Sequence, residues 1–143
     1  MKANTQTYSD IKAALDDWAD SYIRRDIKHL LSCMAPDNDV LMYGTGADEK
    51  RIGLNAIRAQ AERDWAQTDA SAFVLQQPMI SSSGSVAWAS ADLSFEAEAQ
   101  GQKMAFPGRF TGVFENRNGK WLVVQVHFSL PAAQAEGESV PNQ

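Results

Sequence analysis

Large apolar residues recur at spacings of three and four through residues 9–35: Ile11, Leu15, Trp18 and Tyr22, then Ile27, Leu30, Leu31 and Met34. That spacing puts them on one face of a long amphipathic helix. Thr7 or Ser9 can cap its start, and Pro36 ends it, because the residue before a proline avoids the helical region. The rhythm slips at Arg25-Asp26, where the helix bends or divides into a pair. Residues 40–43 form a short apolar run closed by Gly44-Thr45-Gly46 and read as a strand. Leu54, Ile57, Ala61 and Trp65 then return to helical spacing, predicting a second, shorter helix after Gly53.

From residue 73 onward the period changes from three or four to two. Residues 73–80 read as a strand, and Ser81 to Ser85, a serine run holding Gly84, as its turn. Residues 86–98 form a long strand up to a turn at Gln100-Gly101-Gln102, and 104–115 the next. Asn118-Gly119 is the strongest hairpin signal in the chain, since a type I′ turn needs positive φ at both central positions. Residues 121–130 close the sheet. The predicted class is α+β: a curved antiparallel sheet wrapped around the long N-terminal helix and the shorter one, a cone with an internal pocket. One domain is expected over 1–131. Residues 132–143 hold almost no large apolar side chain and are expected to form a disordered tail.

Two strands sharpen the picture. Residues 121–128 are apolar on both faces, which implies cover on both sides. Helices supply one cover, and a homodimer through the outer face is expected to supply the other. The strand over 86–98 separates Val86, Trp88, Ser90, Asp92, Ser94 and Glu96 from Ala87, Ala89, Ala91, Leu93 and Phe95. If the first set faces inward, Trp88, Ser90 and Asp92 make a polar spot in the cone. If it faces outward, Asp92 is a solvated carboxylate.

Composition narrows the partners. A formal charge of −5 with scattered basic residues speaks against nucleic acid, which needs clustered Lys and Arg. The tightest basic cluster, Arg24-Arg25, reads as a solvated helix face. No apolar run has the length of a membrane span, and neither a signal peptide nor an internal disulfide is expected, so the chain is predicted to be soluble and cytoplasmic. The single cysteine, Cys33, sits among Leu30, Leu31 and Met34 and reads as a packed thiol. No zinc-spaced Cys/His cluster, P-loop or dinucleotide fingerprint is present, and no cofactor is expected.

The order helix, short strand, helix and four strands, with an Asn-Gly-Lys-Trp hairpin running into Val-His-Phe-Ser at 126–129, resembles the SnoaL-like branch of the nuclear transport factor 2-like superfamily. The resemblance covers about residues 7–131. Its most specific segment, 109–129, is similar to the closing hairpin of that branch and of the association domain of calcium/calmodulin-dependent protein kinase II. The fold so implied hosts isomerases, dehydratases, cyclases, epoxide hydrolases, transport factors and assembly modules. The ketosteroid isomerase site carries over onto Trp18, Met42 and Gly112, none of which can exchange a proton, so that chemistry is rejected. The pocket arginines of the kinase domain fall on Ser90, Gly112 and Phe128, which implies a greasier cavity. The same alignment turns Trp88, Ser90 and Asp92, then Phe110, Gly112 and Phe114, then Val124, Val126 and Phe128 inward. Trp18 and Tyr22 close over them, with Met42 and Trp65 at the sides.

Asp92 is the best single candidate for a proton-transfer group, since a carboxylate desolvated among aromatic rings has its pKa raised; a surface or hydrogen-bonded structural Asp is the other reading. Arg109 either pairs structurally or binds an anion, and alternation separates it from Asp92. His127 reads as an outer-face histidine at an interface, and His29 as solvated. The expected ligand site therefore comprises Trp18, Tyr22, Met42, Trp65 and Trp88 with Ser90, Phe110, Gly112, Phe114 and Phe128. The expected function is a small-molecule pocket protein that binds an apolar compound or performs cofactor-independent isomerase, dehydratase or hydrolase chemistry. The alternative is a dimeric assembly or stress-associated module with a non-catalytic pocket.

Overall fold

A computed structural model describes residues 1–132; apart from Ala132, the expected tail lies outside the described residues. Helix α1 spans Thr5–Ile23, with the Asn4 side chain accepting from the Thr7 amide at 2.8 Å. It buries Ile11, Leu15 and Trp18, the stripe read from the sequence. The slip at Arg25-Asp26 is a true break. The Asp26 amide donates back to the Ser21 carbonyl at 3.0 Å, and Arg25 takes a left-handed φ of 58°. That is a Schellman-type stop with an arginine where glycine is usual. Asp26 then caps α2, Ile27–Ser32, through the His29 amide.

Strand β1 (Leu41–Tyr43) is followed by an unforeseen β2 (Lys50–Ile52), and helix α3 runs Leu54–Gln67. Strands β3 (Asp69–Ser83), β4 (Val86–Ala99), β5 (Gln102–Arg117) and β6 (Lys120–Ser129) complete the chain. The six strands form one curved sheet in the order β2-β1-β6-β5-β4-β3. It is mixed rather than purely antiparallel, because β1 pairs with β6 in parallel. The serines at 81–83 belong to β3, where Ser81, Ser82 and Ser83 pair with Trp88, Ala87 and Val86, so only Gly84-Ser85 is left to turn. Irregularities in register between Gln76 and Met79, where Gln77 has φ 48°, and between Val113 and Phe114 bend the ribbon. No helix among the described residues is long and apolar enough to cross a membrane.

The facing of β4 is opposite to the expectation. Ala87, Ala89, Ala91 and Leu93 are buried, while Ser90 and Asp92 are exposed and Trp88 lies with them on the outer side. Cross-strand pairing dictates this, because residues directly opposite in an antiparallel pair share a face. Phe114 lies opposite Ala87, Gly112 opposite Ala89, and Phe110 opposite Ala91. With Phe110 and Phe114 inward at 1% and 0% exposure, the alanines must be inward too, and their small side chains make room for the rings. Asp92 is therefore the register partner of Arg109 on the outer face, not its opposite. The irregularity at Val113 also shifts β6, so that Val123 and Val126 enter the core in place of the expected pair Val124 and Val126.

Gly112 does not touch a cavity. A Cβ there would lie 2.6 Å from Cζ of Phe110, whose ring folds over it. Gly112→Ala should cost about 1–3 kcal/mol through overpacking, lowering Tm by roughly 3–12 °C. Thermal unfolding checks this, and Phe110→Leu in the same chain should recover part of the loss.

Candidate functional site

A cavity of about 240 Å³ lies between the last turns of α1, the inner face of α3 and the concave side of the sheet. Its apolar wall includes Trp18, Leu30 and Ile57 from the helices, and Met42, Phe73, Leu93, Phe95, Phe106 and Phe128 from the strands. The rings hold one another in place: Trp18 stacks on Phe128 at 5.8 Å, and Phe73 meets Phe95 edge-on at 5.8 Å and Phe128 at 5.9 Å. Trp18 also leans on Phe110 at 6.0 Å, and its Nε1 is buried with no hydrogen-bond partner among the described residues. Seating a donor that way costs about 1–3 kcal/mol, offset by the ring's packing.

One side of this wall is polar, and α3 builds it. Ile57, Gln60, Ala61 and Asp64 fall at i, i+3, i+4 and i+7, so the stripe that buries Ile57 and Ala61 also carries an amide and a carboxylate inward. Tyr22 donates its hydroxyl to Asp64 Oδ2 at 2.9 Å, and Gln60 Nε2 donates to Asp64 Oδ1 at 2.8 Å. Gln60 is 4% exposed and fully used: it also donates to Glu49 at 3.2 Å and accepts from Arg51 at 2.8 Å. Arg63 bridges Glu49 and Asp48, each at 3.0 Å. The turn Gly44-Thr45-Gly46 is more than a stop signal. The Gly46 amide donates to Glu49 Oε1 at 3.1 Å, and a Cβ on Gly44 would come within 2.9 Å of Glu49 Cβ. Glu49 can lie there only because both positions are glycine.

Burial raises the Asp64 carboxyl above the ordinary aspartate range. The hydrogen bonds from Tyr22 and Gln60 and the charge of Arg63 oppose that shift, and the Glu49 charge adds to it. Burial also pushes the Tyr22 phenol far above its usual value, reinforced by the Asp64 charge and hydrogen bond. Tyr22 is thus a neutral donor, and Asp64 is a carboxylate that takes a proton more readily than a solvated one.

Of the ten expected binding residues, Trp18, Tyr22, Met42 and Phe128 line the cavity. Trp65 sits behind it, packing on Tyr22 at 5.7 Å and donating to the Tyr22 carbonyl at 3.1 Å. Phe110, Gly112 and Phe114 are core beneath it, while Trp88 and Ser90, like Asp92, lie on the outer face. Phe95, expected outside, is part of the wall. His127 is on the outer face as expected, 5.1 Å from the Tyr43 ring. His29 keeps a side chain 42% exposed and also bonds Asp17 at 2.8 Å. Asp64, Gln60 and Glu49 were missed. The i,i+4 spacing of Gln60 and Asp64 inside an apolar stripe was the available signal, obscured by Trp65 next door.

Asp64 should titrate above about 3.9, the ordinary aspartate value, when followed by carbon-detected NMR of its side-chain carboxyl. Tyr22→Phe should move that titration further up, because the lost hydrogen bond stabilised the charged form, and Glu49→Gln should move it down. An ordinary or depressed wild-type titration would contradict the burial of this carboxyl.

The profile of the SnoaL-like domain matches residues 11–133. No curated protein matches the sequence. Among solved structures, the chain is similar to a provisionally assigned dehydratase of the NTF2-like family from Streptomyces avermitilis. The TM-score is 0.80 at 16% identity, covering 92% of this chain and 100% of that one. It is also similar to a provisionally assigned calcium/calmodulin-dependent protein kinase II association domain from Xanthomonas campestris, with TM-score 0.78, 21% identity and coverage of 92% and 95%. A ketosteroid isomerase-like protein from Erwinia carotovora aligns with TM-score 0.75 at 14% identity over 89% and 98%. At these identities the structures speak for the fold alone, and the profile spanning most of the sequence adds the family: the chain belongs to the SnoaL-like proteins.

Proposed function

We propose that this chain binds a small, largely apolar molecule in the cavity and performs cofactor-independent acid–base chemistry on it, of the isomerase, dehydratase or hydrolase kind. The observation that carries this reading is Asp64: a partly buried carboxylate of raised pKa, held at two oxygens, at the edge of an aromatic cavity of about 240 Å³. A general base works best when its pKa approaches the working pH, and burial moves Asp64 in that direction. Asp64 takes a proton from carbon or hydroxyl, then returns it to a neighbouring position or to a leaving oxygen. Tyr22 stays neutral throughout, and its oxygen has a second lone pair free to accept from a ligand hydroxyl. The arginines 51 and 63 hold the Gln60–Glu49 end of the network, so the amide that aims Asp64 is itself fixed. The cavity falls near the lower end of ordinary ligand sites, about 300 Å³, which suits a compact cyclic carbonyl or hydroxy compound. The dehydratase and isomerase-like names of two structural neighbours agree with this class of chemistry.

The probe is a panel of small cyclic ketones and β-hydroxy ketones, followed by tryptophan quenching, thermal shift and α-proton exchange in heavy water. Asp64→Asn should reduce exchange by about 10²–10⁴-fold with a smaller change in quenching, and Asp92→Asn should leave both unchanged. The rate should fall as pH drops through the Asp64 titration, since the base must be ionised. Absence of quenching, thermal shift and exchange across the panel would overturn the proposal.

The outer face of the sheet favours a second element, a homodimer, whichever chemistry the cavity supports. Trp88 and Val113 lie opposite each other there, beside half-buried Leu122 and Val124. A non-catalytic assembly module would use this same face and leave the cavity idle. Sedimentation at micromolar concentration should give a dimer, and Trp88→Glu with Val113→Lys should give a folded monomer. A monomeric wild type would remove the dimer.

A further inference from the structure

Away from the cavity network, three side chains of different chemistry converge where α1 meets α2. His29 and Cys33 are one helical turn apart, and Asp17 faces them from α1. Asp17 Oδ2 lies 2.8 Å from His29 Nε2 and 3.6 Å from Cys33 Sγ, and the three candidate ligand atoms all fall within 4.8 Å of one another. It is the one such group among the described residues. We propose that Asp17, His29 and Cys33 form a zinc site that clamps α2 against α1 across the bend at Arg24–Asp26.

Two of the three ligand separations are close to those of a tetrahedral ion, and the third, between His29 and Cys33, lies within 4.8 Å. Zinc–ligand distances near 2.0 Å for nitrogen and oxygen and 2.3 Å for sulfur require edges of about 3.3 Å between N and O and about 3.5 Å between S and O. The S to O separation already has that length, and the N to O contact needs to open by roughly half an ångström. Asp17 and His29 are both partly exposed, so they can make that adjustment. Sulfur, imidazole and carboxylate together suit a borderline-soft ion and disfavour magnesium or calcium, which take oxygen ligands. Charge also balances: one thiolate, one carboxylate and a neutral imidazole cancel Zn²⁺. Binding replaces the water shell of the aquo ion with these three ligands and one retained water, and releases the other waters and the Cys33 proton to solvent with no change of oxidation state.

Burial and the Asp17 charge push the metal-free Cys33 thiol up to about 11, so at neutral pH it is a protonated donor to Asp17 and not a nucleophile. Zinc must displace that proton, and affinity therefore weakens as pH falls. The remaining nearby cation, Lys120, is tethered to the Ser32 carbonyl at 2.9 Å.

The test uses the full chain, free of any histidine tag, and the metals alone. Zinc should bind with one tight equivalent by calorimetry. It should raise Tm by roughly 5–10 °C at a free concentration about a hundred times Kd. Cobalt(II) should give thiolate charge-transfer absorption with the strong visible bands of a four-coordinate ion. Cys33→Ser should abolish the charge-transfer band, while the exposed-site changes Asp17→Asn and His29→Gln should each weaken binding at least tenfold. Those two variants keep the test decisive if Cys33→Ser folds poorly. A cobalt spectrum without thiolate character, or unchanged affinity in both exposed-site variants, would overturn the site; loss of turnover in Asp64→Asn would leave it untouched.

Discussion

The position of Trp18 governs the rest of the architecture. Its ring is 5% exposed and sits between Phe110 and Phe128, about 6 Å from each. This wedge fixes how closely α1 can approach the sheet. Toward the N-terminus the helix packs tightly, with Ile11 and Leu15 essentially sealed. One turn beyond Trp18, Tyr22 meets Phe73 at 6.0 Å and Phe95 at 6.3 Å, and the rings of Phe73, Phe95 and Phe106 stand around a space instead of filling it. The same residue thus closes the core and opens the cavity.

That space has electrostatic consequences. A carboxylate placed at its edge loses water on one side and must be stabilised by protein donors, or take up a proton. Asp64 does some of each: Tyr22 and Gln60 donate to its two oxygens, yet burial still leaves its pKa raised. The network then runs outward through Gln60 and Glu49 to Arg51, Arg63 and Asp48, so a partly desolvated acid is linked to solvated charges at the rim. The polar groups closest to the cavity are rigid because each has its partners, a condition for holding a reactive group in one orientation.

Family membership and chemistry separate clearly here. The SnoaL-like domain profile, matched over residues 11–133, identifies the family. The acid at the cavity stands on α3, whereas the ketosteroid isomerase positions carried over by resemblance fall on Trp18, Met42 and Gly112. Sites of this fold depend on which wall supplies the carboxylate, and the fold by itself does not say.

Local spacing and turn chemistry determined most of the elements: the helical stripe through Ile11, Leu15 and Trp18, the break at Arg25-Asp26, the stripe on α3, and the hairpin at Asn118-Gly119 all stand where they put them. These are properties of neighbours in sequence. Which face of β4 points inward was not, because alternation defines two sets and cannot rank them; the alignment implied by the resemblance turned the wrong set inward. The choice was made across strands, where Phe110 and Phe114 demand small partners and only Ala91 and Ala87 can supply them. Asp64 was hidden for a related reason. A lone carboxylate in a helical stripe reads as surface until Tyr22 from forty-two residues away is seen to donate to it, and that proximity exists only once α1 and α3 have packed on the same sheet.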